Sequence, residues 1–234
     1  MIKATLALLV ATLLLGNSEL HWDYDKHGPE HWGEFSQTCE KGKQQSPINI
    51  KTTDTHSLQS MYTLISDEDR HTTATVTDNG HGIKITPKEG GKITVHGVEY
   101  KLLQFHFHGK SENTVNDVHF DLEMHMVHQN PEGQLAVVGV MFLEGDNNPV
   151  LDNILGNVGE TIRIDPADVL PKDTSKYYHW VGSLTTPPCS ENVQWYLMKD
   201  TLSASKDQIE AFRKYYDHNY RPTQPLNGRT VEVK

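Results

Sequence analysis

Beyond residue 70, apolar and polar positions alternate in short runs broken by turn residues, the period-two pattern of strands with one buried face. Thr72 to Thr77 leads into Asp78-Asn79-Gly80, a strong turn signal. The alternation resumes at Ile83 to Thr86 and stops at Pro87. Glu89-Gly90-Gly91 turns into Lys92 to His96, and Gly97 leads to Tyr100 to His108. Val118 to His128 and Leu135 to Leu143 follow, separated by Asn130-Pro131-Glu132-Gly133, and then Tyr177 to Leu184 and Val193 to Lys199. Strands at such spacing predict a largely antiparallel sheet. Helical periodicity stands out after Asn148-Pro149, where Leu151, Ile154 and Leu155 share a face and Gly156 ends the run. It stands out again after the capping box Ser205 to Gln208, with Ile209, Phe212 and Tyr216 on one side. The predicted class is mostly β with peripheral helices. Residues 21 to 47, rich in Trp, His, Gly and Pro, read as irregular coil.

The N-terminus departs from this pattern. Lys3 precedes an apolar run from Ala4 to Leu15, followed by Gly16, Asn17 and Ser18. That is the arrangement of a secretory signal peptide, too short to span a bilayer. Residues 1-20 are therefore expected to be a leader, with no membrane span once it is removed, and 21-234 one domain. At 234 residues the chain suits one domain. A net charge of -10 argues against nucleic acid and anionic membranes as partners. The only cysteines, Cys39 and Cys189, behind a leader suggest one disulfide in an oxidising compartment, periplasmic or extracellular; two unpaired buried thiols are the alternative.

Among 14 histidines, spacing singles out a few. In Gln104-Phe105-His106-Phe107-His108, residues two apart face the same side of a strand, so His106 and His108 point together and Phe105 and Phe107 pack opposite. On the next strand Glu123 and His125 share a face. An antiparallel neighbour carrying His125 would complete three nitrogen ligands, the catalytic zinc geometry that leaves one position open. Gln104 and Glu123 each stand two before a histidine and could fix its tautomer. Spacing alone leaves a second reading open, histidines hydrogen-bonded within a half-buried sheet.

The run Gln104 to His108, then Ser111-Glu112-Asn113-Thr114-Val115, Glu123-Met124-His125-Met126-Val127-His128 and Gly182-Ser183-Leu184-Thr185-Thr186-Pro187-Pro188, resembles the alpha-class carbonic anhydrases in order and spacing. Gly28-Pro29-Glu30-His31-Trp32, Gln45-Ser46-Pro47-Ile48 and Gln224-Pro225-Leu226-Asn227-Gly228-Arg229 agree. The likeness covers nearly all of the chain after the leader and fits secreted bacterial members. It implies a large central, mostly antiparallel, twisted sheet with Zn2+ at the base of a cone-shaped cleft. His106, His108 and His125 would hold the metal, Gln104 and Glu123 would support them, and Cys39 and Cys189 would form the disulfide.

The implied activity is reversible hydration of carbon dioxide to bicarbonate and a proton by attack of zinc-bound hydroxide. Thr185 and Glu112 would orient the hydroxide. Val127, Val137, Leu184, Val193 and Trp195, with Thr186, would bind the substrate. His81 would shuttle the proton, with Tyr24 and Asn79 beside its path. A homodimer is expected by family analogy only.

Three departures from the family pattern stand out. Gly109-Lys110 follows His108 where many members carry Trp, and Asn113 replaces a common His. Lys84 replaces a common neutral amide and is expected to lower the pKa of His81 by like-charge repulsion. A non-catalytic binding module on this fold would lack one of the ligands, a metal-storage protein would lack the Thr-Glu pair, and ester hydrolysis would be a side activity of the same site.

Overall fold

The computed structural model describes residues 21–58, 65–67 and 71–234. The expected leader lies outside the described residues. The strands read from alternation form within a residue or two at most ends: Thr72–Asp78, Ile83–Pro87, Lys92–Val95, Val98–His108, Leu135–Glu144, Tyr177–Ser183 and Glu191–Met198. Both periodic helices form with the capping read from sequence. Asn148 Oδ1 accepts from the amides of Val150 and Leu151 ahead of Pro149–Leu155. Ser205 and Gln208 close a capping box ahead of Lys206–Tyr215.

Most strands join one large mixed sheet. Its central order runs Ile83–Pro87, Val98–His108, Leu122–Gln129, Leu135–Glu144, Glu191–Met198, Tyr177–Ser183. Neighbours are mostly antiparallel, but Leu135–Glu144 runs parallel to Glu191–Met198 and to Leu202–Ala204.

Each sheet face has its own core. On one face Phe105, Phe107, Met124 and Met126 pack with Leu151 and Ile154 of one helix and Ile209 and Phe212 of the other. The Phe107 ring lies 5.9 Å from Phe142 and 6.5 Å from Phe212. Burying such a side chain stabilises by about 1.5–3 kcal/mol, so this face anchors the sheet. On the other face Val127, Val137, Val193, Trp195 and Trp180 form a second cluster.

Four expectations are corrected. The strand predicted from Val118 begins only at Leu122. Asn116 and Asp117 take left-handed backbone angles (φ 50 and 67), and the turn they make leaves Val118 60% exposed. Within residues 21 to 47, read as coil, Pro29–Glu34 forms a 3-10 helix and Gln37–Lys41 an α-helix. Runs of five or six residues are too short to display a helical repeat. Thr161–Ile164, absent from the expected series, is a strand pairing with Thr72–Asp78.

The fourth correction concerns parity along Val98–His108. The register shifts between Leu102 and Gln104, a bulge in the pairing with Leu122–Gln129. Tyr100 and Leu102 therefore share the helix-side core with Phe105 and Phe107, although simple alternation would place them with His106.

Candidate active site

His106 and His125 are direct cross-strand partners, and His108 lies one side-chain repeat further along the same face. Ring centroids are 5.0 Å apart for His106 and His108, 5.4 Å for His106 and His125, and 4.6 Å for His108 and His125. One ligand nitrogen from each ring lies within 4.8 Å of the others, a grouping that could hold a metal ion.

The opposite ring nitrogens face polar groups. His106 Nδ1 is 2.9 Å from Gln104 Oε1, and His108 Nδ1 is 2.6 Å from the Asn219 carbonyl. His125 Nε2 lies 2.9 Å from Glu123 Oε1, at hydrogen-bond distance but off hydrogen-bond alignment. The remaining His108 Nε2 and the Glu112 Oε2 atom 3.5 Å from it are buried without a partner.

Burial, first of all, lowers the pKa of each of these imidazoles, so they are neutral, the form a metal requires. Burial also pushes Glu112 up to about 8 and Glu123 up to about 7. Neutral nitrogen donors converging on one point, two raised carboxyls and an orphaned buried nitrogen together fit a divalent cation bound between the rings.

Glu112 Oε1 accepts the Arg221 backbone N–H at 2.8 Å, and the Thr185 hydroxyl acts on the same carboxyl, drawing its pKa down. Thr185 is buried in the turn after Tyr177–Ser183, which the Cys39–Cys189 disulfide ties to the Gln37–Lys41 helix across a sequence separation of 150. Val127, Val137, Val193 and Trp195 line up beside the histidines, with Leu184 packed against them. The Trp195 ring lies 4.8 Å from His125.

A cleft opens over the rings, lined among others by Tyr24, Asn79, His81, His106, His108 and Thr186. His81 stacks on Trp22 at 3.6 Å, and its Nε2 lies 2.9 Å from the Trp22 carbonyl oxygen. Asn79 Oδ1 accepts the His81 and Gly82 amides at 3.0 and 2.9 Å, so it shapes the turn that carries His81. Tyr24 is held far above the ordinary tyrosine pKa by burial and by Glu112, and stays neutral.

Residues 27–234 match the family described as eukaryotic-type carbonic anhydrase. A carbonic anhydrase of Klebsiella pneumoniae is 40% identical over 234 residues, covering 90% of each chain. One from Pectobacterium carotovorum is 35% identical over 246 residues, covering 98% of each. The solved alpha-carbonic anhydrase of Thermovibrio ammonificans, in complex with the inhibitor sulfanilamide, superposes with a TM-score of 0.84 at 40% identity, over 91% of this chain and 98% of that one. The chain belongs to the alpha-class carbonic anhydrases. It is a carbonic anhydrase enzyme, of a family that hydrates carbon dioxide and uses zinc.

Several residues of this carbonic anhydrase site carried no signal that spacing could reveal. Asn219 meets His108 through its carbonyl, and its side-chain amide donates to the Phe107 carbonyl at 3.0 Å. Arg221 donates through its backbone to Glu112. Its guanidinium reaches Gln45 Oε1 and the Ser46 carbonyl at 2.8 Å and the Cys39 carbonyl at 2.9 Å. Asn113 donates from its backbone N to Glu123 Oε2 at 2.8 Å and from Nδ2 to Oε1 at 2.7 Å. One expectation fails here. The pKa of His81 is lowered by burial and then by His21, whereas the charge of Lys84 acts on His106. Lys84 is the direct cross-strand partner of His106, which explains the difference.

Proposed function

We propose that this carbonic anhydrase hydrates carbon dioxide reversibly at a zinc ion held by His106, His108 and His125, with His81 carrying the proton to buffer. The observation that carries this reading is the convergence of three neutral ring nitrogens, one of them buried and otherwise unpartnered. Zinc held this way supplies a Lewis acid that makes a hydroxide nucleophile available near neutral pH, a chemistry for which carbonic anhydrases are themselves the reference case.

The chain's own groups supply the rest. Gln104, the Asn219 carbonyl and Glu123 hold the three rings in the tautomers that turn a lone pair inward. With a divalent cation between the rings offsetting its burial, Glu112 would be ionised and could only accept, so the Thr185 hydroxyl donates to it and offers its own lone pair to the nucleophile's proton. This turns the nucleophile's free electron pair towards the apolar wall of Val127, Val137, Leu184, Val193 and Trp195, where neutral carbon dioxide rests without displacing a hydrogen-bonded group. Thr186 flanks the product. The proton released leaves through water beside Tyr24 and Asn79 to His81, whose Nδ1 takes it up while Nε2–H donates to the Trp22 carbonyl. Residues 1-20 act as a leader and 21-234 as the catalytic domain, periplasmic or secreted, a location in which the disulfide persists. A homodimer is the proposed assembly, on family analogy alone.

Stopped-flow hydration of carbon dioxide, with zinc measured on the same sample, tests this reading. Wild type should carry one zinc per chain and hydrate rapidly, and His106→Ala should lose both. Full hydration by a zinc-free sample would refute it.

A further inference from the structure

Lys84 is a charged residue of the cleft that the catalytic scheme leaves unused. Along Ile83–Pro87, Ile83 and Ile85 enter the helix-side core, so the intervening Lys84 points to the opposite face, where it lines the cleft. It is half-buried and directly across from His106. Lys51, Lys92, Lys176 and Lys206 each pair with a carboxylate, but Lys84 has no such partner among the described residues.

A partly desolvated ammonium without a counter-ion is costly, and here it also stands beside a metal-ligand set. The cleft wall contains no Asp or Glu among the described residues, and Lys84 is its single lysine or arginine. Glu123 stands behind the His125 ring, Glu112 faces the inward nitrogens of His108 and His125 at 3.5 and 3.8 Å without lining the cleft, and Asp23 and Asp78 act on His81. The chain as a whole carries a net charge of -10 and repels anions at long range. A cavity of about 150 Å³ with one cationic wall admits only a small anion.

One partner of the reaction is neutral and the other is a small monovalent oxyanion. The apolar wall suits the first, and the catalytic scheme gives the second only the uncharged Thr186. We propose that Lys84 retains the anionic partner of the reaction, and competing small monovalent anions, on the cleft wall beside His106. This rests on reading the cleft as the place where carbon dioxide and bicarbonate exchange. Carbon dioxide carries no charge for the lysine to attract. The overall equilibrium constant is fixed, so any change at Lys84 shifts kcat/KM for hydration and dehydration by one common factor. Its distinctive mark is therefore in the affinity for anions and in KM for bicarbonate.

The test uses zinc-loaded full-length enzyme, with thiocyanate as an unreactive monovalent anion titrated by calorimetry. Lys84→Gln and Lys84→Met, the latter keeping an unbranched stem, should raise the thiocyanate dissociation constant by roughly three- to tenfold. Lys84→Glu should raise it further, and Lys84→Arg, which keeps the charge, should restore tight binding. KM for bicarbonate should rise in the same order. A lysine that only fills space would give a series following side-chain size and not charge. If wild type and variants hold zinc and hydrate carbon dioxide, yet Lys84→Gln and Lys84→Glu bind thiocyanate as tightly as wild type, the role of Lys84 is overturned and the zinc reading stands. A wild-type sample that neither holds zinc nor hydrates carbon dioxide overturns both.

Discussion

Replacing Asn113 by alanine removes two buried partnerships at once. The Ile48 amide, 2.9 Å from Asn113 Oδ1, loses its acceptor, and Glu123 Oε1 loses a donor at 2.7 Å. Ile48, Asn113 and Glu123 are all 0% exposed, so water cannot take either place without opening the fold. An orphaned buried amide costs about 1–3 kcal/mol and a hydrogen bond to a charged group about 1.5–3, so Asn113→Ala should destabilise by about 2.5–6 kcal/mol. The loss should reach the metal as well. Glu123 keeps the backbone donors of residues 112 and 113 but loses its side-chain donor, and is freer to turn away from His125. Removing a group that orients a metal ligand typically weakens the metal by roughly 10–100-fold. Urea denaturation of the metal-free protein measures the first effect, and competition with a chromophoric zinc chelator the second. A variant within about 1 kcal/mol of wild type that holds zinc equally well would refute the reasoning, because both orphaned groups would then have found other partners.

His81→Ala should slow turnover in weak buffer, and added imidazole should restore it; unchanged turnover would remove His81 from the proton path. The Cys39→Ser, Cys189→Ser double variant opens a loop of 150 residues and should lose about 5 kcal/mol of stability on the chain-entropy view, read by denaturation against the oxidised wild type. The metal-free protein should show a stability maximum near the ordinary histidine pKa of 6.5. Above that, native Glu112 and Glu123 keep protons up to about 8 and about 7 that the unfolded chain, at 4.5, has released, so stability falls as pH rises. Below it, unfolded imidazoles take up protons that native His106, His108 and His125 refuse, so stability falls as pH falls. Denaturation midpoints of chelator-stripped protein that climb steadily from about pH 6.5 to about pH 8 would contradict this.

Alternation made the metal face legible because Phe105, His106, Phe107 and His108 lie past the bulge, where the two-residue repeat is undisturbed. The same rule fails before it. Tyr100 and Leu102 match His106 in parity yet bury with Phe105, because the extra residue at the bulge reverses the faces and no turn signal marks it. The helices were legible through Asn148 and Ser205, whose side chains act on amides two or three residues away. Asn219 and Arg221 were illegible for the opposite reason. They serve His108 and Glu112 through backbone atoms from more than a hundred residues away, and a backbone atom has no letter of its own. Lys84 was noticed, but its target was misjudged, since proximity in sequence to His81 counted for less than the cross-strand pairing with His106.

The carbonyl of Asn219 and the amide of Arg221 come from the last stretch of the chain, while Tyr24 comes from the beginning of the described fold. A polypeptide emerging from its N-terminus therefore cannot assemble this centre while it is still being delivered. His108 keeps an unrestrained ring and Glu112 lacks a donor until nearly every residue is available. The three ligand histidines are present by residue 125, so a half-delivered chain offers the rings without the two backbone groups that later fix them.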